Sequence, residues 1–291
     1  MERVDKDSNR AFYDSQRDAD RRRFEEQPTK VHLNETIVPW VVSYVAPGAR
    51  ILDVGGGSGV YASGIVRAAA VSVVGVDISR SMVEQRREDP LLVDNVVGDM
   101  EALPFADGAF DAVLFAMSLH HVPDPARALR EAYRVLRTGG LLFAVEPCAL
   151  RAGPAGVGAV PGVEHEFRFT LGYLKGRIRD AGFRIDGVSG RRMWIRFTWR
   201  LTHSQSLDAL RRSDRVDRVL TRLPGVTRLA EIALVRATRA DRLPDGIPAG
   251  GSLACPRCRG AFEDAGTELK CTSCGTAYAV DGGIPILLTE P

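Results

Sequence analysis

The final forty residues of this 291-residue chain hold four of its five cysteines, arranged as Cys255-Pro-Arg-Cys258 and Cys271-Thr-Ser-Cys274 with twelve residues between the pairs. A Cys-x-x-Cys pair grips one metal ion through a tight knuckle, and a glycine follows each pair here, Gly260 and Gly275. Four thiolates suit tetrahedral zinc, and two knuckles at this separation predict a zinc ribbon over residues 252–291 with Cys255, Cys258, Cys271 and Cys274 as ligands. Iron and a redox-active dithiol are the competing readings. A segment this small buries too little apolar area to fold alone, so the metal supplies its folding energy, roughly 10 to 16 kcal/mol in small zinc domains. With all four ligand positions filled, no position is left for a reactive water, which makes the zinc structural.

The opening Met-Glu-Arg-Val-Asp-Lys lacks an apolar signal region, and no stretch approaches the ~20 apolar residues of a membrane span, so a cytoplasmic protein without membrane partners is expected. In that compartment thiols stay reduced, which favours metal ligation over disulfides. Cys148 reads as an inert core thiol. Lys plus Arg is 39 against 37 for Asp plus Glu, so net charge alone does not mark a polyanion binder. All the basic residues except Lys6, Lys30, Lys175 and Lys270 are arginine, a skew that fits GC-rich coding.

Residues 1–28 are densely charged, with Arg21, Arg22 and Arg23 in a row, and read as a lid. A helix follows from Thr29 to Val45, broken at Pro39 or ended before Pro47. Short apolar runs then recur at Arg50–Val54, Ser72–Val76, Asn95–Val97, Phe110–Phe115 and Leu141–Val145, mostly separated by helical patterns. Between Asp124 and Arg137 the helix is explicit: Asp124 can cap, Pro125 fits the first turn, Leu129, Ala132, Tyr133 and Leu136 share a face, and Gly139 terminates. Such alternation predicts an α/β fold, Rossmann-like and doubly wound, with a mostly parallel sheet. A helix Leu171–Ala181, a strand Phe183–Val188 and a last strand Glu231–Ala237 complete it. The catalytic unit is assigned to 29–240, with an arginine-rich helical insert at 191–228 and a Pro/Gly-rich linker at 241–251. From Arg191 to Arg242 thirteen arginines face five acids, but Leu207, Leu210, Val219, Leu220 and Leu223 lie near helical spacing. An amphipathic cap with a solvated arginine face is therefore preferred to a nucleic-acid groove, since no aromatic ladder interleaves the charges. Trp194 and Trp199 are candidates to line an apolar pocket.

The run Ile51-Leu-Asp53-Val-Gly55-Gly-Gly57-Ser-Gly59 carries a strand into glycines and then a helix, which lets backbone N–H groups approach a ligand closely. Gly57 to Ala62 also fits G-x-G-x-x-A, and Asp77 lies twenty residues beyond Gly57, as a dinucleotide site would want. The neighbours decide. Asp53 precedes the glycines by two residues, and Asp99 closes the third strand in Gly98-Asp-Met-Glu-Ala-Leu-Pro-Phe105. With Phe110-Asp-Ala-Val113, Leu119-His-His-Val122, Leu136-Arg-Thr-Gly-Gly140, Glu146-Pro147 and Ala181-Gly-Phe183, the stretch 45–188 resembles class I S-adenosylmethionine-dependent methyltransferases, particularly those of ubiquinone and menaquinone biosynthesis. That resemblance implies a seven-stranded sheet and S-adenosyl-L-methionine as cofactor. By it, Asp53 organises the loop at the methionine end while Gly55, Gly57 and Gly59 give the backbone room. Asp77 would accept both ribose hydroxyls, and Asp99 the adenine amino group, with Ile78 and Met100 packing on the ring.

Methyl transfer is an in-line displacement, so the chain must align an acceptor, exclude water and, for a weakly acidic acceptor, remove a proton. His120 and His121 are the candidate bases, with an alternative role in orienting the following loop, His121 packed under Pro123. Tyr13, Glu146, His165 and Glu166 face the same space by resemblance, and Arg151–Pro161 reads as a flap. The segments around the cysteines resemble the small zinc-ribbon activator subunit of tRNA, ribosomal-RNA and release-factor methyltransferases. That implies a ribbon docked on its own catalytic domain through Ile284, Ile286, Leu287 and Leu288. The leading expectation is transfer to a small natural-product or quinone-like O, N or C acceptor. The alternatives are an RNA methyltransferase, whose relatives carry their ribbon at the amino terminus, and a non-catalytic partner protein recruiting other chains through the ribbon.

Overall fold

A computed structural model describes residues 6–15, 26–122, 124–153, 156–159, 166–192, 206–223, 225–241, 253–264 and 266–289. The expectations on Arg21–Arg23, Pro123, His165, Trp194, Trp199 and nearly all of the linker lie outside the described residues. The strands are β1 (Arg50–Val54), β2 (Ser72–Asp77), β3 (Asn95–Gly98), β4 (Phe110–Ala116), β5 (Leu136–Pro147), β6 (Val157–Ala159), β7 (Phe167–Phe169), β8 (Phe183–Arg191), β9 (Ile232–Arg239) and, after the last cysteine pairs begin, β10 (Phe262–Asp264), β11 (Glu268–Cys271), β12 (Ala277–Asp281) and β13 (Ile284–Leu287). The helices are α1 (Lys6–Ser15), α2 (Pro28–Val42), α3 (Val60–Ala68), α4 (Arg80–Arg86), α5 (Ala126–Val135), α6 (Leu171–Asp180) and α7 (Leu207–Leu220).

The seven expected strands form one sheet in the order β3-β2-β1-β4-β5-β9-β8. β1 to β5 pair in parallel, and β9 runs antiparallel to both β5 and β8. Burial along β1 and β4 is nearly continuous, as a strand covered on both faces requires. Alternate residues serve the two faces. Ile51, Ala112 and Leu114 meet Leu33, Ile37 and Val41 of α2 and Tyr61 and Ile65 of α3. Leu52, Val113 and Phe115 meet Leu129 and Ala132 of α5 and Leu174 and Ile178 of α6.

Several boundaries differ from the sequence reading. Pro39 sits inside an unbroken α2. α5 stops at Val135 because Leu136 already pairs with Phe110, while Asp124 does accept the Ala126 N–H at 3.0 Å. β8 runs on to Arg191, so the insert begins later than expected. Within it, α7 turns polar residues inward: Ser213, Asp214 and Asp217 are buried, whereas Val219 and Leu223 are exposed. Arg191 is not solvated either, but buried against Asp214 with Nε 2.6 Å from Oδ1. The expected solvated arginine face is present on the helix, where Arg211, Arg212, Arg215 and Arg218 are exposed, but of the expected apolar residues only Leu210 is fully buried. The helix is tied by ion pairs to β8 and, through Arg211, to Glu35 of α2.

The cysteine-rich segment forms an antiparallel meander, β10-β11-β12-β13, whose last strand pairs in parallel with β3 through Ile286 against Val97 and Leu287 against Gly98. The sheet thereby grows to eleven strands. Leu287 enters the main core, Ile284 packs with Val83 and Val97, and Ile286 and Leu288 pack against them half-buried. Polar ties reinforce the seam: Arg80 to Asp281 at 2.6 Å, Arg87 to the Gly282 carbonyl at 2.5 Å, and the Ala254 N–H to the Pro104 carbonyl at 2.9 Å.

Candidate cofactor cleft and metal centre

Parallel strands bring their carboxyl ends to one edge, and the loops leaving that edge carry the predicted residues. Asp53, next to last in β1, is almost fully buried, and its Oδ2 accepts from Arg86 Nη1 at 2.7 Å. Its Oδ1 is buried without a hydrogen-bond partner among the described residues. The loop that follows needs backbone conformations that glycine adopts without strain: φ is +64° at Gly55, +51° at Gly57 and +80° at Gly59. At Gly55 even a methyl group would not fit, since its Cβ would lie 2.7 Å from Ser118 Cβ and 3.3 Å from Met100 Cε.

Asp77 closes β2 half-buried, accepting the Gly57 N–H on Oδ2 and the Ser79 N–H on Oδ1, each at 2.9 Å. Burial pushes its carboxyl up to about 6, against those two N–H donors, with Asp53 adding to the rise. Asp99 follows β3, buried, and accepts the Glu101 N–H at 2.8 Å. Ile78 and Met100 are half-buried beside these acids. The structure thus brings the three carboxylates, the glycine loop and both apolar residues to the same edge. An orphaned carboxylate oxygen and a wall with no room for a side chain fit the adenosyl-methionine group expected there.

Beyond β4, Met117 adopts φ +62°, a strained value for a residue with a side chain. It turns the chain so that Ser118, Leu119 and His120 aim their N–H groups at Glu146 on β5, at 3.1, 2.9 and 3.3 Å. The His120 ring adds Nδ1 at 2.8 Å from Glu146 Oε2. Burial drives this pair toward neutrality from both sides: Glu146 is pushed up to about 7 against its N–H donors, and His120 down to about 4, Glu166 opposing and Lys30 assisting. His121 instead meets Tyr13 of α1, whose hydroxyl lies 2.7 Å from Nδ1. The next residue, Asp14, accepts from Ser79 Oγ at 2.6 Å and the Ser81 N–H at 3.1 Å. α1 therefore reaches both the Asp77 side and the histidine side of the edge. Arg86, Asp14 and Ser118 were absent from the sequence-derived set; each gains its place only through contacts remote in sequence.

The four predicted metal ligands do converge. Sγ atoms of Cys255, Cys258, Cys271 and Cys274 lie within 4.8 Å of one another, with 3.7 Å between Cys255 and Cys274 and 3.4 Å between Cys258 and Cys271. Zinc–sulfur bonds of about 2.3 Å in a tetrahedron imply sulfur separations near 3.8 Å, so the donor set fits zinc. The Cys274 N–H points at Cys271 Sγ at 3.5 Å, and Gly260 leaves the space that its Cβ would take 2.9 Å from that sulfur.

The sheet order and the glycine edge define a methyltransferase-type α/β fold. Residues 52–144 match the family model described as a methyltransferase domain. Among similar proteins, a demethylmenaquinone methyltransferase of Renibacterium salmoninarum is 42% identical over 103 residues, covering 34% of this chain and 42% of its own length. The ubiquinone/menaquinone biosynthesis C-methyltransferase UbiE of Geotalea uraniireducens is 40% identical over 109 residues, covering 35% and 46%. The chain thus spans less than half the length of these curated relatives. A solved S-adenosylmethionine-dependent methyltransferase from Thermotoga maritima superposes with TM-score 0.55 at 20% identity, over 79% of this chain and 99% of that one, a likeness of fold. Among the described residues no helix is long and apolar enough to cross a membrane.

Proposed function

We propose that this chain is an S-adenosylmethionine-dependent methyltransferase acting on a small quinone-like or related natural-product acceptor, with zinc holding a structural ribbon against its own catalytic sheet. The observation that carries the reading is the meeting of Asp53, Asp77 and Asp99 at neighbouring strand ends around left-handed glycines. The acceptor class is supported by the quinone-directed names of the relatives.

Asp53 and the 55–59 loop would hold the methionine part, Asp77 the ribose diol, and Asp99 with Ile78 and Met100 the adenine. Bound there, the cofactor supplies an electrophilic methyl group on a sulfonium centre. The remaining work belongs to the chain. α1 excludes water by spanning the edge through Tyr13 and Asp14. Above pH ~7 Glu146 is ionised and accepts Nδ1–H of His120, which leaves Nε2 without hydrogen; burial makes it a weak base, so it takes the proton of an acceptor hydroxyl only as methyl transfer builds positive charge on that oxygen. Below that pH Glu146 holds the proton and donates it to Nδ1, so Nε2 carries hydrogen and cannot act as a base.

Calorimetry with S-adenosylmethionine and S-adenosylhomocysteine, followed by methyl transfer to reduced quinones, tests the reading. Binding of both cofactor forms is expected, with His120→Ala losing transfer but retaining cofactor. Absence of cofactor binding overturns the assignment; salt-sensitive RNA binding with methyl transfer to RNA replaces the acceptor class.

A further inference from the structure

Arg86 is the largest fully buried side chain in the protein's described residues, at 2% exposure, although it sits on a short surface helix between the exposed Arg80 and Arg87. It enters the core along a slot bordered by three glycines. A Cβ on Gly75 of β2 would lie 2.6 Å from its Cζ, one on Gly56 2.8 Å from its Nη1, and one on Gly59 2.9 Å from its Cγ. Glycines from two separate elements thus make room for one guanidinium. At the end of the slot Nη1 donates to Asp53 Oδ2, while Nε and Nη2 have no hydrogen-bond partner among the described residues.

Such a pair is a poor stabilising device. Desolvation of two charges offsets most of their attraction, and apolar side chains of equal volume commonly do as well. Two unsatisfied buried donors worsen the balance. What the guanidinium does uniquely is fix the direction of Asp53 at the root of the glycine loop, using one carboxylate oxygen and leaving the other.

We propose that Arg86 is a positioning residue for the cofactor: it locks Asp53 and the 55–59 loop in the binding conformation and reserves Asp53 Oδ1 for the ligand's amino nitrogen. This rests on the S-adenosylmethionine reading above. The charged groups facing Asp53 are Arg86 from α4 and Asp77 from β2. Without Arg86, Asp53 Oδ2 would lose its donor and the carboxylate its fixed direction at the root of the loop. A charge-specific signature follows that a merely space-filling role would not produce.

The test is calorimetric titration of the full zinc-loaded chain with S-adenosylhomocysteine at pH 7. Arg86→Met, which fills the same space without a donor, should weaken binding by about tenfold or more. Arg86→Lys, which restores a charged donor, should recover most of the affinity. In an Asp53→Asn background, Arg86→Met should add no further loss. Should Arg86→Met fail to fold, Gly75→Ala, which drives a methyl group into the guanidinium while keeping the arginine, should weaken binding in the same way. Parental affinity in a folded Arg86→Met or Gly75→Ala chain overturns the role of Arg86 alone. Failure of the parent chain to bind the ligand at any pH overturns both this role and the cofactor reading.

Discussion

The two ends of the eleven-stranded sheet are held by different physics. The catalytic part fixes its strands by burying them between helices, and alternate residues of β1 and β4 feed two extensive apolar clusters. The ribbon has strands of three to five residues, and besides Ala254, Cys255 and Cys271 it buries only Leu269, Tyr278, Ile284 and Leu287 among its described apolar residues. Area suffices for the first; under the proposed zinc assignment a metal closes the second. The contrast teaches that the ribbon borrows stability twice, once from its thiolates and once from β3.

The sharpest way to break the comparison is to remove the metal. Chelation or Cys271→Ser should make the segment after residue 252 protease-sensitive while the core sheet stays protected, as limited proteolysis with mass spectrometry would read. A single cooperative collapse of both parts would count against independent bases of stability. Next, Leu287→Ala removes a fully buried side chain shared by ribbon and core and should cost about 2 to 5 kcal/mol in urea unfolding, whereas truncating exposed Val219 should cost about 0.5 kcal/mol or less.

Titration sharpens the core side. A carboxylate accepts a diol better than a carboxyl does, so with Asp77 held at about 6, cofactor affinity should be flat above neutrality and weaken below pH ~6 by at most about tenfold per pH unit. For stability the signs at the edge oppose. Glu146, raised from 4.5 to about 7, binds extra protons in the native state, so its contribution falls as pH climbs through that window. His120, lowered from 6.5 to about 4, makes the opposite contribution as pH climbs from about 4 to 6.5. The two cancel between pH ~4.5 and ~6.5. His120→Ala should expose the Glu146 limb, with stability dropping from pH ~5 to ~7 by at most roughly 1.4 kcal/mol per pH unit in denaturant melts. The smallest effect belongs to the seam's surface: Arg80→Ala breaks an exposed pair with Asp281 and should leave the Tm unchanged.

Local signals made much of this legible. Apolar runs marked the core strands, the spacing of Cys255, Cys258, Cys271 and Cys274 marked a cluster that the structure closes, and acids after successive strands marked the edge. What stayed hidden depends on distant partners. Arg86 reads as one more solvated arginine until Gly56, Gly59 and Gly75 are seen to open a path for it. The Ile284–Leu288 run announces burial but not that it will lie parallel to Val97 and Gly98. The inward acids of α7 make sense only once Arg191 stands opposite Asp214.

That last strand also has a protective consequence. Without β13, the outer edge of β3 would present an unpaired row of backbone donors and acceptors beside the apolar Val83 and Val97, a ready template for a strand of another molecule. With zinc in the cysteine cluster as proposed, zinc starvation should appear as self-association and turbidity, metal supply then governing how long the protein stays dispersed as well as how well it is folded.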